Sequence, residues 1–291
     1  MKKRIITGIV ALFVFAPVCI FSGTWFFGFA FGVISLVGVY EMAKCLGFQK
    51  NYFLTIPMYL AALILPIVRY IIHYMQISKP NSVFLLIAMI TSFSILIYSL
   101  ACVMFGMNKK NISDVMTFYA LSVYVIGCFS SVVMVRFTGT GEHKNMGAYL
   151  YLLIFISAWV CDTFAYFTGK FFGKHKLIPQ ISPKKTVEGA IGGIIFTLLA
   201  LVGYWAIIEF VPLFKDHGVE IWHICILGVI LPIVSQIGDL LASSIKRQYN
   251  IKDFGNVFPG HGGVLDRFDS AMLVAPIMCC INAIIFSIKG F

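Results

Sequence analysis

The sequence predicts an all-α, polytopic integral membrane protein of about nine transmembrane helices with its N-terminus in the cytoplasm. Three observations carry this. Of the 291 residues, 60% are apolar and 12% charged, against about 45–50% and about 25% in soluble domains. The apolar residues come in blocks of about 20, the length that crosses the hydrocarbon as helix. A membrane barrel would instead show weak ten-residue alternations. Finally, Lys and Arg gather in alternate connecting segments.

The blocks run roughly over 5–22, 24–43, 53–75, 83–105, 115–135, 148–168, 187–208, 221–242 and 270–288. The first follows Met1-Lys2-Lys3-Arg4. No small-residue cleavage site follows it, and Val18 stands before Cys19 where a lipoprotein needs a small residue, so it reads as a retained span. Pro17, Pro57, Pro66, Pro232 and Pro276 lie inside blocks, which membrane helices tolerate. With the N-terminus inside, the inner segments hold 16 Lys and Arg and the outer ones 5. Residues 1–145 then read as an N-terminal region of five spans. Residues 146–291 read as a C-terminal catalytic region of four spans with two polar cytoplasmic loops, about 169–186 and 243–269.

The net charge of +10 is read as this topological bias plus anionic ligands at the membrane surface, not as nucleic-acid binding. The eight cysteines form no C-x-x-C and lie mostly in apolar runs, as small buried hydrophobes do. No Walker A sequence, strand-linked G-x-G-x-x-G or H-E-x-x-H occurs, which leaves soluble-type NTPases and zinc proteases without support.

Charges inside spans are costly and so are functional candidates. Asp162 lies in the sixth span with Tyr166 on the same helical face. Asp239 ends the eighth span, with Ser235 and Ser243 one turn away on either side. Such oxygens suit Mg²⁺, which takes one or two carboxylates plus phosphates and water. Arg69 is expected to snorkel to the outer interface, and Glu41 to be a solvated cap near the inner one. In the last loop, Gly260, Gly262 and Gly263 would let backbone N–H groups approach an anion. Lys246, Arg247, Lys252 and Arg267 supply cations, and Asp266 and Asp269 stand three residues apart at the start of the ninth span. In the earlier loop, Ser182-Pro183 reads as a helix start, with Lys184, Lys185 and Thr186 in its first turn and Glu188 beside them. That turn would bind an anion, either a substrate phosphate or lipid head groups.

The segment Ser244 to Asp269 resembles the signature of the phosphatidate cytidylyltransferases, also called CDP-diacylglycerol synthases. Its fixed residues Ser244, Lys246-Arg247, Lys252-Asp253, His261-Gly262-Gly263, Asp266-Arg267 and Asp269 are all in place. The segments Asp162 to Tyr166 with Gly169-Lys170, and Ser182 to Gly189, are similar to the family as well. The resemblance implies transfer of CMP from CTP to phosphatidate at a site open to the cytoplasm. It implies Mg²⁺, one ion or two, held by Asp239 and Asp266. CTP phosphates would meet Ser182, Lys184, Lys185 and Thr186. Lys246, Arg247 and Arg267 would neutralise pyrophosphate or the lipid phosphate, and His261 would orient a phosphate. Asp162, Glu188, Ser235, Lys252, Gly262, Gly263 and Asp269 complete the expected substrate site. CTP, phosphatidate and membrane lipids are the expected partners, with no nucleic acid. A symmetric homodimer is the default for an oligomer, and no residue specifies one. A bacterial inner membrane is favoured over the endoplasmic reticulum. The alternatives are a CTP-dependent lipid kinase and a non-catalytic transporter or lipid-binding protein.

Overall fold

The computed structural model describes residues 13, 15–77, 79–106, 110–139, 146–211, 219–258, 260 and 262–289. Half of the expected first span (5–12 and 14) and His261 lie outside the described residues. Within them the protein is helical apart from one two-stranded hairpin, and eight helices are long and apolar enough to cross a membrane. The chain forms two compact units. The first comprises residues 1–134 and 249–267, the second 135–248 and 268–291.

In the first unit, α1 spans Trp25–Cys45, α2 Tyr52–Tyr74, α3 Pro80–Met104 and α4 Ile112–Arg136. Apolar surface alone gives helices in lipid no reason to associate, so close packing of small residues decides contacts. Gly28 and Gly32 of α1, four residues apart, supply it. A methyl group on Gly28 would stand 3.1 Å from the Pro66 carbonyl oxygen, and one on Gly32 2.5 Å from that of Leu63. The backbones of α1 and α2 therefore nearly touch. Ring contacts add Phe31 on Phe129 and Phe48 stacked on Phe118. Arg69 does not snorkel. It is fully buried, and its Nη2 donates to Asn81 Oδ1 at 2.9 Å. A polar partner at the start of α3 takes one of its N–H groups in place of water.

In the second unit, α5 spans Met146–Phe172, α6 Val187–Phe210 and α7 Ile221–Gln248. The hairpin pairs β1 (Lys176–Ile178) antiparallel with β2 (Ser182–Thr186). The last helix, α8, runs Leu265–Lys289, and the division between units falls after Arg267. Glycines again set the packing. A methyl group on Gly193 of α6 would meet the Cys161 carbonyl at 3.1 Å, and one on Gly238 of α7 the Asp269 carbonyl at 2.9 Å. Gln236 Nε2 donates to the Ala190 carbonyl at 3.1 Å and to Cys161 Sγ at 3.4 Å, tying α7 to α6 and α5.

The helix expected to start at Ser182-Pro183 begins instead at Val187, and Ser182–Thr186 is strand. Two interactions decide this. Pairing with β1 holds Ser182–Thr186 extended, and Thr186 is the competing cap: its Oγ1 accepts the Gly189 N–H at 3.1 Å. Gly32→Leu should overpack the α1–α2 contact at a cost of about 1–3 kcal/mol. The expected outcome is a lowered unfolding temperature in detergent, whereas Gly203→Leu, at a position with open space around it, should melt near wild type.

Candidate active site

The second unit holds a cavity of about 290 Å³ lined by Asp162, Tyr166, Lys184, Lys185, Thr186 and Asp239, among others. Three helices and the hairpin deliver these groups. Asp162 comes from the inner face of α5, and its Oδ2 accepts the Ser270 hydroxyl at 2.5 Å. Asp239 comes from α7 and forms an ion pair with Lys185 of β2. Asp269 of α8 accepts the Ser270 backbone N–H at 2.9 Å, and Lys246 Nζ lies 3.9 Å from its other oxygen. The three carboxylates interact electrostatically with one another. Three acidic groups are thus brought together with two lysines, all partly buried.

Other expected residues stand apart from this cluster. Ser235 is fully buried and does not line the cavity; Gln236 does. Arg247 is exposed on the last turn of α7. Glu188 serves the hairpin. Its carboxylate accepts the backbone N–H groups of Lys174 and His175 at 3.1 and 3.2 Å and meets His175 Nδ1 at 2.6 Å. Because β2 is strand, Lys184 and Lys185 are not in a helical first turn, so no fan of free N–H groups accompanies them.

The glycine-rich segment lies in the first unit. Gly260 and Gly262 have φ of +80° and +85°, conformations that favour glycine, in a turn where Phe258 N–H donates to the Gly262 carbonyl at 2.9 Å. The anions its backbone approaches are the protein's own. Asp266 Oδ2 accepts the N–H groups of Phe254 and Gly263 at 2.8 and 3.0 Å. Glu41, 1% exposed, accepts those of Val264 and Leu265, each at 2.9 Å, one on each oxygen. Glu41 is therefore no solvated cap but a buried brace from α1 to the start of α8. A methyl group on Gly255 or Gly263 would collide with its carboxylate. Nothing in local sequence pointed to this role except a charge in an apolar helix. Beside the brace, with Gly255 and Gly262 in its wall, lies a cavity of about 850 Å³ that Lys44, Lys252, Asp253, Asn256 and Arg267 also line.

The Mg²⁺ implied by the resemblance can be judged against these donors. Among the described residues no three His, Cys, Asp or Glu side chains converge as a ready-made cage. Mg²⁺ does not need one, since one or two carboxylates with phosphate oxygens and water suffice. The partly exposed Asp239 carboxylate, which already faces a cation in Lys185, fits that requirement, whereas Asp266 is buried with Oδ2 held by two backbone N–H groups.

The Cytidylyltransferase family pattern matches residues 2–285. A phosphatidate cytidylyltransferase of Staphylococcus aureus (strain N315) is 35% identical over 281 residues, covering 96% of this chain and 97% of that protein. Proteins of the same description from Staphylococcus saprophyticus and Staphylococcus haemolyticus are each 34% identical, over 278 and 280 residues, with the same coverage.

Removing the brace should be costly. Glu41→Ala leaves two buried N–H groups unsatisfied, at about 1–3 kcal/mol each, and should lower the unfolding temperature in detergent clearly. Glu41→Gln keeps one acceptor and should lose part of that. A Glu41→Ala protein melting with wild type would contradict the structural role.

Proposed function

The chain belongs to the Cytidylyltransferase family, and from that premise we propose how its residues carry the reaction. It is a CTP:phosphatidate cytidylyltransferase, an integral membrane enzyme that forms CDP-diacylglycerol and pyrophosphate. The observation that carries the reading from the site is the meeting of Asp162, Asp239 and Asp269, all on membrane-spanning helices, with Lys246 of α7 and Lys185 of the hairpin strand β2. Mixed charge there suits phosphates handled together with a divalent ion, not a plain basic surface.

An oxygen of the phosphatidate phosphate attacks the α-phosphorus of CTP. A new P–O bond forms, the bond to the β-phosphate oxygen breaks, and pyrophosphate leaves with that electron pair. No general base is needed, because a phosphate monoester is already ionised near neutral pH. The protein's part is positioning and charge neutralisation. Asp239 and Asp266 are assigned to Mg²⁺ as hard oxygen donors; the ion, when bound, neutralises charge on nucleotide phosphate oxygens.

Lys184 and Lys185, with Ser182 and Thr186 on the same strand, are assigned to a substrate phosphate. Two lysines match the charge of one phosphate monoester, and Ala165, Tyr166 and Leu177 give the cavity an apolar wall. Asp162 and Asp269 hold Ser270 and Lys246 in place around it. Lys246, Arg247, Lys252 and Arg267 are assigned to neutralising the incoming and departing phosphates, and Gly262 and Gly263 to shaping the loop that carries them. Glu188 acts by fixing the hairpin. The catalytic work is assigned to residues 146–291, with a cytoplasmic N-terminus and site in a bacterial inner membrane. The bacterial relatives and the excess of Lys and Arg on alternate segments support that placement.

Incubation with CTP, phosphatidate and Mg²⁺ should yield pyrophosphate and a lipid carrying labelled cytidine. Transfer of the terminal phosphate alone would mean a lipid kinase. Asp239→Asn and Asp266→Asn should each cut Mg²⁺-dependent turnover about a hundredfold or more with unfolding in detergent near wild type for Asp239→Asn. Near-normal turnover in both would remove the metal assignment. Lys185→Ala should raise the KM for phosphatidate about tenfold, the loss of one charge-assisted phosphate contact.

A further inference from the structure

The sequence directs attention to 146–291 and to the signature loop and assigns nothing to α1. The 850 Å³ cavity of the first unit changes that. Its wall draws on two separate segments, Lys44 and Cys45 at the end of α1 and residues from 251 to 267. Three cations face it, Lys44, Lys252 and Arg267, against one carboxylate, Asp253. All four are exposed, so they are accessible to a ligand from water.

The wall behind these charges is held rigidly. Glu41, one turn before Lys44 on α1, binds the Val264 and Leu265 N–H groups, and Asp266 binds those of Phe254 and Gly263. The backbone that carries Lys252 and Arg267 is thus fixed to the helix that carries Lys44. A site whose backbone is pre-set by buried hydrogen bonds loses less freedom on binding.

Size and charge select the ligand. Drug- and nucleotide-sized molecules take cavities of about 300–1,000 Å³; this one is 850 Å³, while the cavity of the second unit is 290 Å³. Three cations call for more than a single phosphate. The neighbouring Asn256 and Asp253 offer an amide and a carboxylate that could engage the hydroxyls and amino group of a nucleoside. Resting on the reaction proposed above, we propose that this cavity receives the polyphosphate of the nucleotide substrate, and that Lys44 of α1 is a phosphate-binding residue. The sequence and its resemblance point CTP phosphates to Ser182, Lys184, Lys185 and Thr186; the structure makes that segment strand, without the helix start that was one reason for it.

The test uses the full-length protein in detergent with CTP and Mg²⁺ and no lipid substrate. Lys44→Ala should weaken equilibrium CTP binding about tenfold, as loss of one charge-assisted contact does. Lys44→Arg should restore most of it, and Lys50→Ala, an exposed lysine that does not line the cavity, should bind like wild type. In turnover, Lys44→Ala should raise the KM for CTP and leave the KM for phosphatidate unchanged. Unaltered CTP affinity in Lys44→Ala, or a change confined to phosphatidate, overturns the assignment while the reaction itself stands. CTP binding that depends on Lys44 in a protein that makes no cytidine-bearing lipid would instead overturn the reaction and leave this site.

Discussion

A carboxylate buried in an apolar helix must be answered where it sits, because water is not there to do it. Much of the polar apparatus of this protein follows from that constraint. Glu41 is answered by two backbone N–H groups at the start of α8, and Asp266 by two more from the same loop. Asp162 is answered by Ser270, and Asp239 by Lys185. Each pairing fixes one element to another at the point where function needs a defined position. The same bonds that make these charges tolerable therefore also build the walls of the two cavities.

The two cavities differ in the way their contents should. One is small, set among three transmembrane helices and a hairpin, with apolar and aromatic lining beside its lysines. Tyr166 and Phe171 next to it on α5 are largely exposed, as aromatic side chains facing lipid are. On the proposal above, this cavity takes the phosphate carried on acyl chains. The other is larger, and glycines, Asn256 and exposed charged groups contribute to its wall. This is a setting for a ligand that arrives from water.

What could be read from sequence divides along a physical line. Hydropathy and composition are local sums, so the spans were legible, and the eight described helices fall on the expected blocks. Asp162, Asp239 and Asp269 were legible as costly charges near span ends. Their partners were not: Ser270 is 108 residues from Asp162, and Val264 is 223 from Glu41. From sequence alone Glu41 and Arg69 therefore take the solvent-facing roles of an unpartnered charge, and in the structure both are buried. Ser182-Pro183 failed differently. Proline at the second position suits a helix start and an edge strand equally, and the choice was made by pairing with β1 and by Thr186 as a competing cap.

The glycine-rich turn shows why such motifs need a structure to interpret. Helix starts and glycine turns bind anions through free N–H groups and the positive end of the helix dipole. At the start of α8 those groups are already spent: Gly263 on Asp266, Val264 and Leu265 on Glu41. Two internal carboxylates thus occupy the place a phosphate takes in a nucleotide-binding loop of the P-loop type. In the nucleotide site proposed above, recognition of a polyphosphate therefore rests on the side-chain cations Lys44, Lys252 and Arg267 that line the cavity, not on the backbone. Exposed cations are screened by salt where a buried nest is not. Nucleotide affinity in this protein should accordingly fall as ionic strength rises, more steeply than a backbone cradle would allow.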